Sequence, residues 1–267
     1  MGRADVNDIV IGYDDVGGGE DIVVLVHGHP FNRSMWAPQV EALSRAGWRV
    51  IAPDLRGYGE TTVVPGKTTL DVFANDVAAL LVALGIGRIV IGGLSMGGQI
   101  VMEFARLYRA RLRGVVLAAT SPQAETEDGK HNRNAMADRL LREGMGPYAN
   151  ETLTKMIAPR NIAALPAVAD RVLTMMLTTD PQGAAAALRG RAERPSYEPV
   201  LQSLDVPALI VVGDEDAYTT RADADLMQRL VKRSELVWME RAGHMPNLER
   251  EVEFNAALQR FLESVAA

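Results

Sequence analysis

The run Ile91-Gly92-Gly93-Leu94-Ser95-Met96-Gly97-Gly98 sets a single serine among small residues. A β-type stretch, Arg88-Ile89-Val90-Ile91, leads into it, and a helix-like segment, Gln99 to Tyr108, follows directly. Strand, sharp turn bearing one hydroxyl, then helix is the sequence form of a nucleophile elbow. Gly93 and Gly97 let such a turn close without side-chain clashes. A serine held there has one obvious use, attack on a carbonyl carbon.

The rest of the chain repeats this alternation. Strands are predicted at Ile9–Tyr13, Ile22–Val26, Trp48–Ala52, Arg88–Gly92, Gly114–Ala119, Val206–Val212 and Leu236–Met239. Several are continuously apolar, as in Ile22-Val23-Val24-Leu25-Val26, the habit of strands buried on both faces of a parallel sheet. Between them, Leu70, Phe73, Ala74, Val77, Leu80, Leu81 and Leu84 recur at helical spacing, with Thr68 as the expected N-cap and Asp71 favouring the positive end. Phe254, Leu258, Phe261, Leu262 and Val265 form a similar face in the last helix. The pattern predicts an α/β fold with a mostly parallel sheet flanked by helices.

One region departs from this rhythm. From Ser121 to Val200 no strand pattern is found, and the stretch is helical, broken by Pro147, Pro159, Pro166, Pro181, Pro195 and Pro199. The expected organisation is a core of residues 1–120 and 201–267 carrying a helical cap, residues 121–200. The cap holds Met136, Met145, Met156, Met175 and Met176, which either line an adaptable pocket or pack the cap helices together.

Composition narrows the function classes. A chain of 267 residues has length enough for one large domain, and its net charge of −6 argues against general nucleic-acid binding. The local basic run Arg106, Arg109, Arg111 and Arg113 is expected to be a solvated helix end, where cations suit the dipole. Cysteine is absent, so neither a disulfide framework nor thiolate chemistry is available. Met1 to Asp8 has no apolar signal core, Val6 breaks the myristoylation pattern, and the apolar run Val77 to Ile86 is too short to span a bilayer. These features predict a cytoplasmic, soluble protein with no membrane partner and no signature of an oligomeric state.

A nucleophilic serine needs a base, and the chain has four histidines. His244, in Ala242-Gly243-His244-Met245-Pro246 just past the last strand, is the expected base; a loop there can reach the elbow serine. His131 sits in a polar run and reads as surface. The base needs an orienting carboxylate, and Asp214, Glu215 and Asp216 compete after the strand Leu209–Val212. Asp216 lies furthest round the turn and is preferred, with Asp214 as the alternative. The other common place for the acid, after Ala119, holds Thr120 and Ser121. The order Ser95, Asp216, His244 is then the one this arrangement uses. Two oxyanion donors are expected from the backbone N–H groups of Met96 and of His29, the latter in His27-Gly28-His29-Pro30. His27 is expected to brace that loop, and with no acid or cysteine close by, His27 and His29 make a poor metal site.

These residues together resemble the α/β-hydrolase superfamily along nearly the whole chain. The likeness is carried by His27-Gly28-His29-Pro30, Asp54-Leu55-Arg56-Gly57-Tyr58-Gly59, the elbow, and Gly243-His244, each in the expected order. Within the superfamily the loop at 54–59 and the elbow look like those of 3-oxoadipate enol-lactonases, cofactor-free haloperoxidases and small carboxylesterases. The resemblance implies an eight-stranded core, a helical cap and no cofactor. It also implies a small-molecule ester or lactone as substrate, with peracid formation on the same triad or ligand reception without catalysis as rivals. Two departures are visible. Glu60 and Thr61 follow the second glycine where serine is frequent, and His29 takes a position often held by a bulky apolar residue, which makes the acyl side more polar. A serine at position 95 argues against dehalogenase and epoxide-hydrolase chemistry, which uses aspartate there.

Overall fold

The computed structural model describes residues 1–266. Eight strands make one sheet: β1 (Gly2–Val6), β2 (Ile9–Val16), β3 (Ile22–Val26), β4 (Arg49–Pro53), β5 (Ile89–Leu94), β6 (Leu112–Ala118), β7 (Ala208–Gly213) and β8 (Ser234–Met239). Their order is β1-β2-β4-β3-β5-β6-β7-β8. β2 runs antiparallel to β1 and to β4, and every pair from β4 to β8 is parallel. The fold is that of an α/β sheet with helices on both faces.

Alternate residues of the central strands serve opposite layers, which explains their unbroken hydrophobicity. Val24 and Val26 of β3 join one apolar layer, and Val23 and Leu25 join the other. The first layer is covered by α2 (Leu70–Ala83) and α3 (Met96–Leu107), through Phe73, Val77, Leu80, Ile100 and Phe104. The second is covered by α1 (Ala37–Arg45) and the C-terminal helix, through Leu43, Phe254, Leu258 and Leu262.

Between β6 and β7 the chain runs through six helices: α4 (Glu127–Glu143), α5 (Met145–Met156), α6 (Pro159–Ala164), α7 (Pro166–Thr178), α8 (Pro181–Arg191) and α9 (Glu198–Gln202). Pro159, Pro166 and Pro181 each open a helix, where the missing N–H costs nothing. α10 (Arg221–Leu230) follows β7, and α11 (Pro246–Glu249) and α12 (Glu251–Ala266) close the chain. α5 and α7 pack on the second layer through Ala149, Val172 and Met176, whereas α4 and α8 share a small core of Ala137, Leu140, Ala184, Ala185 and Leu188. No helix among the described residues is long and apolar enough to cross a membrane.

α8 is fastened to the core by two close backbone approaches. A Cβ on Gly183 would stand 1.9 Å from the Gly57 carbonyl oxygen, and one on Gly190 would stand 1.7 Å from that of Thr68. The two glycines are seven residues apart, about two helical turns, and so share one face.

Several expectations are corrected here. β1 was not among the expected strands, because Gly2-Arg3-Ala4-Asp5-Val6 offers only a weak alternation. Its signal lies in the turn instead: Asn7 and Asp8 both have positive φ, 48° and 61°, the requirement of a two-residue hairpin. Thr69, not Thr68, precedes α2, and its hydroxyl makes no capping bond. Thr68 is drawn away because its N–H donates to the Ala186 carbonyl of α8 at 3.0 Å. The basic run is not simply solvated: Arg106 pairs with Glu103, Arg109 with Asp205 and Arg113 with Asp21, while Arg111 donates to carbonyls of Ala78, Ile86 and Gly87.

The contact at α8 predicts that Gly190→Ala lowers stability by about 2–3 kcal/mol in urea denaturation, because the added methyl must displace backbone rather than a flexible side chain. Gly146→Ala, where a methyl meets open space in the first turn of α5, is expected to be neutral or to stabilise by up to about 1 kcal/mol.

Candidate active site

Ser95 sits at the turn between β5 and α3 with φ 57° and ψ −115°, a conformation L-residues rarely hold. The turn stays closed because its flanks lack side chains. A Cβ on Gly93 would lie 2.2 Å from the Gly97 carbonyl, and one on Gly97 would lie 2.2 Å from the carbonyl oxygen of Val26 at the end of β3. The Ser95 N–H donates to the Ala118 carbonyl at 2.9 Å. Its carbonyl accepts from the Gln99 N–H at 3.1 Å and from the Thr120 hydroxyl at 2.8 Å. From Ile89 to Ala105, Ser95 is the one residue that is not buried. The turn therefore lifts a hydroxyl out of an otherwise closed layer.

The acid and the imidazole meet at the ends of the next strands. His244 Nδ1 donates to both Asp216 oxygens, at 2.9 and 3.0 Å. Both side chains are almost wholly enclosed. Asp216 Oδ1 also accepts from the N–H groups of Tyr218 and Thr219 at 2.8 and 3.1 Å, which closes a tight turn beyond β7. Burial pushes the Asp216 carboxyl up, but His244 and these two donors outweigh it and hold it below the usual carboxylate range. A proton on Nδ1 leaves the Nε2 lone pair free. The other two acids are engaged elsewhere: Asp214 accepts from the Ala242 N–H at 3.3 Å, and Glu215 pairs with Arg160 at 2.8 Å.

Ser95 and His244 line the same cavity, of about 280 Å³, without a hydrogen bond between them in this conformation. Such contacts commonly tighten only when substrate arrives. Among the described residues no protein acceptor meets the backbone N–H of His29 or of Met96. His27 braces its loop: Nδ1 donates to the Gly28 carbonyl and Nε2 accepts from the Leu55 N–H, both at 2.9 Å. With both nitrogens occupied, His27 offers no lone pair to a metal. Burial lowers its pKa. Asp54 locks the neighbouring loop by accepting from the Arg33 and Glu60 N–H groups at 2.8 and 2.9 Å and pairing with the Arg33 guanidinium. His131 lies exposed on α4, away from the cavity.

Several residues of the site were not among the expected ones. The His29 side chain, not only its backbone, faces the cavity, with Nδ1 2.7 Å from the Tyr58 hydroxyl. Gln99, Arg133, Tyr148, Arg191, Arg194 and Tyr218 line the cavity as well. Gln99 was readable from helical spacing, since it lies one turn after Ser95; Arg133 and Arg191 sit in helices and Arg194 in the turn beyond α8, and how these pack has no sequence signature. Of the five methionines between 121 and 200, Met156 alone lines the cavity, and the others pack helices. Glu249 is a further find. Oε1 accepts from the N–H groups of Gly243 and Met245, on either side of His244, at 2.9 and 3.3 Å. Oε2 accepts from the Ala158 N–H and the Asn161 amide at 2.9 and 2.7 Å, so α6 and the His244 loop share one carboxylate. Burial pushes the Glu249 carboxyl up against these four donors.

The family model for the alpha/beta hydrolase fold matches residues 21–251. The chain belongs to that family. It is 30% identical to a 3-oxoadipate enol-lactonase of Acinetobacter baylyi over 88% of this chain and 85% of the relative. Among solved structures, a thermophilic esterase from Thermogutta terrifontis, determined with malate bound, superposes with a TM-score of 0.96 at 37% identity over the full length of both chains. The enol-lactonase of Burkholderia xenovorans superposes with a TM-score of 0.91 at 28% identity, over 98% of this chain and all of the other.

Replacing Glu249 by Gln turns an acceptor into a donor facing N–H groups. The variant is expected to lose roughly 2–4 kcal/mol of stability in urea denaturation. A loss under about 0.5 kcal/mol would mean that the two donors facing the new amide NH2 find other acceptors.

Proposed function

We propose that the protein is a serine hydrolase that cleaves a carboxylic ester or lactone through an acyl-enzyme. The observation that carries this is the Asp216–His244 pair opening onto the cavity in which the strained elbow presents Ser95. Ser95 Oγ attacks the carbonyl carbon while His244 Nε2 takes its proton. Asp216 holds the imidazole in the reactive tautomer and stabilises its cation. The N–H groups of His29 and Met96 hold the developing oxyanion, each typically worth about 10²–10³ in turnover. His244 then returns the proton to the leaving oxygen, and the reverse sequence with water frees the acid and restores Ser95. No step calls for a cofactor.

The helices from α4 to α9 act in this reading as a cap, residues 121–200, over a core of residues 1–120 and 201–267. They supply Arg133, Tyr148, Met156, Leu188 and Arg191 to the cavity. The similarity to enol-lactonases and an esterase supports ester or lactone cleavage as the reaction.

Ser95→Ala is expected to lower kcat on p-nitrophenyl acetate by at least about 10⁴-fold, with an unchanged urea midpoint. Asp216→Asn is expected to cost about as much, because an amide no longer fixes the tautomer. A fluorophosphonate should label Ser95 in the folded protein. Full activity in Ser95→Ala would overturn Ser95 as the nucleophile, and a Ser95 left unlabelled in the folded protein would favour a ligand-binding module instead of a hydrolase.

A further inference from the structure

Among the side chains that line the cavity, His29 is held at one nitrogen and open at the other. The residue is only 4% exposed. Nδ1 lies 2.7 Å from the Tyr58 hydroxyl, and Nε2 is buried with no protein partner among the described residues. Tyr58 and Tyr148 both meet the ring edge to face, each at 6.1 Å between centroids. Tyr58 is fixed in turn. Its N–H donates to the Leu55 carbonyl at 2.9 Å, and its ring meets that of His27 edge to face at 5.1 Å. His27 is kept from turning because both its nitrogens hold backbone. The His29 ring therefore rests on a chain of side chains that ends in the scaffold of its own loop.

Tyr58 sets which nitrogen of His29 carries the hydrogen. Burial pushes the Tyr58 phenol up, so it keeps its proton. Its hydroxyl has one protein partner, His29 Nδ1, and a buried O–H left without an acceptor is costly. The proton is satisfied there only if Nδ1 accepts, which leaves the hydrogen of His29 on Nε2. Burial, and then the Arg191 and Arg133 charges, press the His29 pKa down, so the ring stays neutral. The cavity thus receives one fixed, uncharged N–H donor from this ring.

The sheet order says which part of a substrate this donor meets. β3, whose end carries the His29 loop, lies on one side of β5 and Ser95; β7 and β8, whose ends carry Asp216 and His244, lie on the other. The leaving oxygen must face His244 to take its proton. A side chain on the β3 side meets the acyl part instead. The backbone N–H of the same residue is an oxyanion donor in the reading above, so Nε2–H addresses the acyl chain close to the reacting carbonyl. A charged acceptor there would stand beside the developing oxyanion and raise its energy, whereas an uncharged oxygen would not. Resting on the hydrolase reading, we propose that the His29 side chain is a specificity-determining residue whose Nε2–H binds an ether or hydroxyl oxygen on the α or β carbon of the acyl group. The favoured substrates are then neutral esters or lactones of alkoxy or hydroxy acids. Holding the acyl oxygen and the oxyanion from one residue fixes the carbonyl against rotation before Ser95 attacks.

The test measures kcat/KM for two matched pairs of ethyl esters, methoxyacetate with butanoate and β-methoxypropanoate with pentanoate. Each pair differs by an ether oxygen in place of a methylene. Dividing each ratio by that for hydroxide-catalysed hydrolysis removes the oxygen's intrinsic effect on reactivity. In the wild-type protein at least one corrected ratio is expected to exceed about 10, because a plain chain leaves the buried Nε2–H unpaired. His29→Phe keeps a ring and the backbone N–H and should lower that ratio by about 5-fold or more. His29→Gln, whose amide NH2 reaches the place of Nε2, should recover part of it. Tyr58→Phe, which releases the tautomer, should also lower it. A ratio taken within one variant is unmoved by a general loss of activity. Nuclear magnetic resonance of nitrogen-labelled histidines in Ser95→Ala reads the donor without turnover. His29 is expected there as the Nε2–H tautomer, with its Nε2 resonance moved by the methoxy ester and not by the plain counterpart. Wild-type corrected ratios of about 1, or ratios that hold within about 2-fold in His29→Phe, would overturn the role of His29 and leave the hydrolase reading standing. If none of these esters is cleaved, the hydrolase reading falls, and the histidine resonances alone decide whether His29 binds the acyl oxygen.

Discussion

The closeness of α3 to the end of β3 governs the chemistry of this molecule. Gly97 rests against the Val26 carbonyl at a distance that no side chain would permit. That contact forces the chain to reverse within one residue, and Ser95 bears the cost in an unfavourable backbone conformation, of order 1–3 kcal/mol. The expense is met by the surroundings: every other residue from Ile89 to Ala105 is buried. A strongly packed layer thus holds one hydroxyl in an orientation it would not choose. The loop carrying His29 depends on the same approach, since a Cβ on Gly28 would stand 2.9 Å from the Leu94 carbonyl.

Much of this was legible in the sequence, for reasons that differ by element. The central strands announced themselves because burial on both faces demands unbroken apolar runs, and Ile22–Val26 matches β3 to the residue. The edge strand β1 was not visible, since a strand covered on one side alternates, and Gly2 to Val6 does so with few apolar residues. The helix start at Thr68 was misplaced because a long-range bond to Ala186 outranked local capping. In the site, Ser95, Asp216 and His244 stood out because the turns that carry them have sequence signatures. The residues around them did not. Glu249 and Arg191 act through where their helices pack, and nothing in their neighbours' identities specifies that.

Polarity distinguishes the cavity from an ordinary apolar binding cleft. His27 and His29 are neutral for a shared reason, burial, but they serve opposite ends. His27 spends both nitrogens on the backbone of its own loop, whereas His29 spends one on Tyr58 and turns the other to the interior. The first fixes the scaffold and the second furnishes the wall. Placing these roles on two histidines only two residues apart lets one short loop both hold its shape and present a polar surface.

The paired glycines of α8 carry a mechanical consequence. A rod pinned at two points on the same side can neither pivot nor roll, so the α8 side of the chamber behaves as a fixed jamb. The flap of α5 to α7 rests on the sheet through side chains, and its α5–α6 junction is tied to the His244 loop, where a Cβ on Gly243 would stand 2.5 Å from the Ala158 nitrogen and Glu249 accepts the Ala158 N–H. Any swing of that flap tugs on Glu249 and, through it, on the backbone either side of His244. Widening the doorway and disturbing the imidazole would then be one motion.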